Sequence, residues 1–129
     1  MNHNIHDVGV ARQIAAYSDS IEVKPSLRLL FTSGTPGLPT DGSAIPTDIA
    51  GQSELAWKHV ILMLEKAGMT VADIVKVTQY LTDANHIAEY GKVRKKYLGD
   101  NRPASMLLVI AQLVRPEFLV EVEIVAAKE

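Results

Sequence analysis

Arg102 to Ala127 reads RPASMLLVIAQLVRPEFLVEVEIVAA, and this stretch holds two strand-like runs of different character. Ser105 to Ala111 is almost continuously apolar, which suits a strand buried on both faces. Leu119 to Val125 alternates instead. Val120, Val122 and Ile124 point one way, while Leu119, Glu121, Glu123 and Val125 point the other. Between the runs, Arg115-Pro116-Glu117 supplies a turn, because Pro116 fixes its own φ and has no N–H for a ladder. The expectation is an antiparallel hairpin closing the chain, with two carboxylates on one face.

Glu121 and Glu123 have two readings. One is the solvated outer face of an antiparallel sheet. The other starts from the apolar neighbouring run: if that strand is covered on both sides, the glutamate face is covered too. One layer of helices leaves a sheet face bare, so a partner subunit would have to cover it. A carboxylate at such a boundary is partly desolvated and suited to moving protons.

Moving outward, Ile74 to Leu81 (IVKVTQYL) predicts a second strong strand, and Leu27 to Thr32 (LRLLFT) a third, closed by the breaker-rich Ser33-Gly34-Thr35-Pro36-Gly37. Ile21-Glu22-Val23 predicts a short strand, and His6 to Tyr17 a strand or extended arm. A helix runs from Pro46 to Ala67, with Ile49, Ala56, Val60, Met63 and Ala67 as its apolar stripe, widened by Trp57 and Leu64. Thr47 or Asp48 caps it, and Gly68 stops it. Asp83 caps a second helix carrying Ile87, Tyr90, Val93 and Tyr97, which Gly99 ends. Two helices on one face of a mixed or antiparallel sheet of five or six strands make a single α+β domain over residues 1–129.

The chain is 47% hydrophobic and 22% charged with net charge −2, a globular composition with no basic excess for nucleic acid. It has no cysteine, hence no thiol nucleophile or thiolate metal site. His3, His6, His59 and His86 have no ligand spacing, so neither a metal nor a cofactor is expected. No apolar run reaches membrane-spanning length, and MNHNIHDVGV lacks the features of a signal peptide, so the expected location is the cytoplasm. Gly34-Thr35-Pro36-Gly37 lacks the lysine of a phosphate loop. It reads as a strand-ending turn in which glycine also lets a ligand approach the backbone. Arg94-Lys95-Lys96 reads as a solvated helix end favoured by the dipole.

LLFTSGTPG at Leu29–Gly37, DIAGQ at Asp48–Gln52, EKAGMTVADIVKVTQYLTD at Glu65–Asp83 and RPAS…LVEVEIVA at the end together resemble the reactive intermediate deaminase family, also called RidA, YjgF or L-PSP proteins. The resemblance implies a chorismate-mutase-like fold and a homotrimer with an inner barrel of sheets, outer helices and small-molecule clefts between subunits. It also implies hydrolysis of reactive imines or enamines to a carbonyl and ammonia. Glu121 matches the family glutamate that positions or activates water. Gly34, with Ser33 beside it, matches the backbone that approaches the ligand, and Leu107 a residue offering backbone hydrogen bonds. Tyr17 and Tyr90 match pocket positions.

One position departs from the pattern. Family members acting on imino acids carry an arginine directly after the Pro-Ala of this motif, where it forms a bidentate pair with the substrate carboxylate. Here that residue is Ser105, which has neither the charge nor the fork. YSDSIEV before the LLFTSGT strand resembles a divergent branch lacking this arginine. The expectation is a deaminase with altered substrate preference, to which 2-iminopropionate and similar imino acids are poor substrates. The alternatives are a non-catalytic ligand-binding or regulatory trimer and, less favoured, an endoribonuclease or translation inhibitor.

Overall fold

The computed structural model describes residues 3–25 and 27–129. In chain order, the strands and helices are β1 (Asn4–Ile5), β2 (Ile21–Glu22), β3 (Arg28–Phe31), β4 (Thr35–Pro36), α1 (Ile49–Lys66), β5 (Ile74–Leu81), α2 (Ile87–Leu98), β6 (Ala104–Val109) and β7 (Val120–Lys128). One five-stranded mixed sheet carries the fold, in the order β3-β7-β5-β6 with β4 also on β7, while β1 and β2 form a separate antiparallel pair.

The two terminal runs are strands, but they are not a hairpin. β5 lies between them: it pairs parallel with β6, from Lys76↔Ala104 to Leu81↔Val109, and antiparallel with β7, with Tyr80 opposite Glu121. The cause is the helix between β5 and β6. A strand–helix–strand unit returns its second strand parallel to the first. The segment after β6 then passes the end of β5, where Ile110 N–H donates to the Leu81 carbonyl at 2.8 Å, and turns at Phe118 N–H to Arg115 carbonyl before β7 begins. β6 is therefore an edge strand, and Met106 and Val109 are 49% and 46% exposed rather than buried on both faces.

The N-terminal segment also differs from expectation. Residues 6–17 are not a strand. Asp19 gathers the N–H groups of Val8, Gly9 and Ala11 at 2.7, 2.9 and 2.7 Å, Gly9 takes a positive φ, and a 3-10 turn forms at Ala11–Gln13. These hydrogen bonds to the charged form hold the Asp19 carboxyl below its ordinary range. Only Asn4–Ile5 is extended, against the expected short strand at Ile21–Glu22.

The helices behave largely as their patterns require. Asp48 caps α1 by accepting from Gly51 N–H at 3.2 Å, and Gly68 follows the helix with φ +70°. The buried stripe is Ile49, Gln52, Ser53, Ala56, Trp57, Val60 and Leu64, rotated slightly from the predicted one, so Met63 and Ala67 are only half-buried. Asp83 caps a 3-10 turn at Ala84–His86 that leads directly into α2. α1 and α2 pack on one face of the sheet over Val77, Leu81, Val120, Val122 and Ile124. The opposite face of the single chain is open.

Candidate active site

Glu121 sits on β7 in register with Tyr80 on β5 and Pro36 on β4. Its carboxylate lies against the turn before β4. A Cβ on Gly34 would stand 2.0 Å from Glu121 Oε1 and 2.9 Å from its Cδ. The missing side chain is thus what lets the carboxylate rest on the Ser33–Gly34 backbone. Burial, then the neighbouring Glu123 charge, raises the Glu121 pKa above the usual carboxylate value. The residue is held toward the carboxylic acid form, on the open face of the sheet. Ser33 contributes its carbonyl, which accepts from the Thr35 hydroxyl at 3.0 Å. Behind the same turn, His59 Nε2 is 2.7 Å from the Leu38 carbonyl, a hydrogen bond that ties α1 to the segment after β4.

A second group of predicted residues meets elsewhere. A cavity of about 500 Å³ between β6, α2 and the N-terminal turn is lined by Tyr17, Ser105 and Leu107, together with Arg94, Ile14 and Ile87. Behind its wall lies Gln79, a fully buried residue on β5 that contacts three of the residues lining it. Gln79 Nε2 donates to Ser105 Oγ at 3.0 Å and to the Met106 carbonyl at 2.9 Å. Its Oε1 accepts from the Tyr90 hydroxyl at 2.6 Å and from Arg94 Nη1 at 3.3 Å. All four partners agree on one orientation of the amide. Tyr90 is itself fully buried and supports Gln79 rather than lining the cavity. Burial pushes its pKa upward, so its hydroxyl remains a neutral donor.

The chain does not bring these two groups together. Glu121, Tyr80 and Leu108 form one cross-strand row, and Val122, Gln79 and Leu107 the next. Successive residues of a strand face opposite sides, so Glu121 is on the open face and Ser105 and Leu107 are on the helix face. β5 also separates β7 from β6, a span of about 10 Å at ordinary strand spacing. Toward the edges of the open face Leu29, Phe31, Met106 and Leu108 are all substantially exposed, while Thr78, Tyr80 and Glu123 lie nearer Glu121.

Gln79 and Arg94 did not stand out from motif reasoning. Gln79 left a signal, since it is a polar residue in the Val77–Gln79–Leu81 row that otherwise reads as core. Arg94 left a fainter one: it is four residues from Tyr90, on the same face of α2. Among the described residues no group of three or more His, Cys, Asp or Glu side chains could hold a metal ion. No helix among the described residues is long and apolar enough to cross a membrane.

The family model described as Endoribonuclease L-PSP matches residues 10–128. The chain belongs to the RidA/YjgF/L-PSP family. Its similarity to relatives extends over most of both chains. A RutC family protein of Pyrococcus abyssi is 33% identical over 119 residues, covering 92% of this chain and 91% of that one. The 2-iminobutanoate/2-iminopropanoate deaminase of Rattus norvegicus is 29% identical, covering 89% and 82%. TdcF of Escherichia coli is 31% identical over 104 residues, covering 78% and 79%. The crystal structure of TdcF with bound serine superposes with a TM-score of 0.74, covering 90% of this chain and 91% of that one at 27% identity. The YjgF/L-PSP fold of this RidA-family chain, with two helices on a mixed sheet, follows from both sequence and structure.

Proposed function

We propose that this RidA-family protein hydrolyses a small imine or enamine to a carbonyl compound and ammonia, with Glu121 as the acid–base group. The observation that carries the reading is the Glu121 carboxyl lying on Gly34 with its pKa raised. In the reaction, water oxygen bonds to the imine carbon while a proton reaches the nitrogen. The resulting amino alcohol then loses ammonia as its hydroxyl proton is removed and the C=O forms. Both halves need one group that gives and then takes a proton, and a carboxyl whose pKa is raised by burial is better suited to this than an ordinary carboxylate. The reading is supported by the deaminase names of related proteins.

The working cleft forms between copies of the chain, in a homotrimer. Within one chain Glu121 and the Tyr17–Ser105–Leu107 cavity lie on opposite sides of the sheet, so a neighbouring copy must bring its own half. The exposed apolar side chains on the open face suit burial against such a copy. Ser105 in place of the family arginine alters substrate preference, and 2-iminopropionate is turned over poorly beside an arginine-bearing relative. A net charge of −2 gives no support to RNA as substrate.

An imine-trapping assay tests this. An amino acid oxidase generates a panel of imines beside semicarbazide, supplemented with neutral imines and enamines. The expected result is faster carbonyl release for at least one substrate, lost in Glu121→Gln while the assembly persists. No acceleration for any of them, with an active relative run in parallel, would leave ligand binding without turnover as the better account.

A further inference from the structure

We infer that Arg94 is the anion-binding residue of the Tyr17–Ser105 cavity, so that the molecule this site takes carries a carboxylate held from α2 rather than from β6. This rests on the cleft reading above and names its substrate class.

Three observations carry it. The first is the contrast within Arg94-Lys95-Lys96, a cluster that looks uniform in sequence. Lys95 pairs with Asp100 at 3.5 Å, and Lys96 with Glu54 at 2.7 Å. Arg94, among the described residues, has no acidic partner and instead lines the cavity. The second is how the guanidinium is held. Its Nη1 donates to Gln79 Oε1 at 3.3 Å, and its carbon stands 5.9 Å from the Tyr90 ring centroid. That engages one N–H and leaves the rest of the fork, which suits a planar carboxylate. The third is the neighbouring donors. Ser105 Oγ already accepts from Gln79, so its own proton is free to point into the cavity, which the Tyr17 ring also lines.

Gln79 thus links Ser105 and Arg94 through the two ends of one amide. A side chain at position 105 and one at position 94 address the same space. The charge missing from β6 is present in the cavity, entering from the helix wall, so a 2-oxo or 2-imino acid binds with its reacting carbon shifted from where an arginine on β6 would set it, in keeping with poor turnover of 2-iminopropionate. An anion bound there meets a guanidinium and a serine hydroxyl in a partly desolvated site, where charge-assisted hydrogen bonds are strong. A neutral molecule of the same shape gains none of this.

The test is binding, read by ligand-observed NMR titration with pyruvate and with acetone, in which a methyl replaces the carboxylate. Wild-type protein is expected to bind pyruvate more tightly than acetone. Arg94→Gln should weaken pyruvate by about tenfold or more and leave acetone unchanged. Arg94→Lys, which keeps the charge and loses the fork, should fall between, and serves if glutamine disturbs α2. The double variant Arg94→Gln/Ser105→Arg, which returns the guanidinium from β6, should recover pyruvate binding. Equal pyruvate affinity in wild type and Arg94→Gln, or no preference of wild type for pyruvate over acetone, would overturn the inference. Turnover plays no part in this readout, so an inactive protein that still shows the Arg94-dependent preference rejects imine hydrolysis and keeps the anion site.

Discussion

Where β7 meets the helices, Val120, Val122 and Ile124 are at most 2% exposed; on the other side of the same strand Glu121 and Glu123 are half-buried, and the sheet around them shows Phe31 at 69% exposure and Met106 at 49%. The helix face is apolar and closed within the chain, whereas the open face carries Leu29, Phe31, Met106 and Leu108 toward its edges and Lys76, Thr78, Tyr80, Glu121 and Glu123 along its middle. The helix face is satisfied by α1 and α2 and accounts for folding. The open face has apolar surface to bury and a carboxyl whose proton affinity is already raised. Under the proposed function, that surface is where a second copy would gain stability and complete a site.

Substituting the same residue type on the two faces should separate them most sharply. Val122→Asp places an unpaired charge in the core and is expected to cost more than about 4 kcal/mol, leaving the chain unfolded in circular dichroism. Phe31→Asp, on the open face, should alter the stability of the single chain by about 0.5 kcal/mol or less. It should instead lower the molar mass in light scattering from trimer toward monomer. A Phe31→Asp protein that keeps its assembly would break the comparison.

The two glycines flanking β4 give a finer version of the same contrast. A Cβ on Gly37 would lie 2.4 Å from the Gln52 carbonyl oxygen and 2.7 Å from its Cα, so the α1 backbone itself must give way. Gly37→Ala is expected to destabilise by about 1–3 kcal/mol in denaturant unfolding. The three atoms nearest a Cβ on Gly34 all belong to the Glu121 side chain, which can swing aside. Gly34→Ala should therefore change stability by less than about 1 kcal/mol while lowering imine turnover by about tenfold or more, because the catalytic group is displaced. The opposite assignment, with loss of stability at Gly34 and loss of activity alone at Gly37, would contradict the site.

Local patterns were legible in the sequence where burial is one-sided and strong. The alternation of β7 and the run Ile74–Leu81 read correctly as strands, and Asp48 and Gly68 marked the ends of α1. Pairing was not legible from those runs alone. β6 and β7 look like neighbours in sequence, but β5 takes an edge of each, because α2 returns β6 parallel. The N-terminal alternation misled for a different reason: Asp19 captures three backbone N–H groups, a contact across a gap that no period encodes. At the site, Tyr17, Ser105 and Leu107 did converge, as did Gly34 with Glu121. Gln79 joins Ser105, Tyr90 and Arg94 through hydrogen bonds between β5, β6 and α2, and this three-element arrangement exists only once the sheet order is known.

The most direct test of the central claim, that catalysis requires halves from two chains, is complementation. Glu121→Gln inactivates the open-face half, and Ser105→Phe fills the cavity of the other. Neither variant alone should hydrolyse imines. Mixed in equal amounts, unfolded and refolded together, they should recover up to about a quarter of wild-type activity, since that fraction of randomly assembled interfaces joins two intact halves. A mixture that stays at the level of the separate variants would mean that Glu121 and the cavity act within one chain, or not together at all.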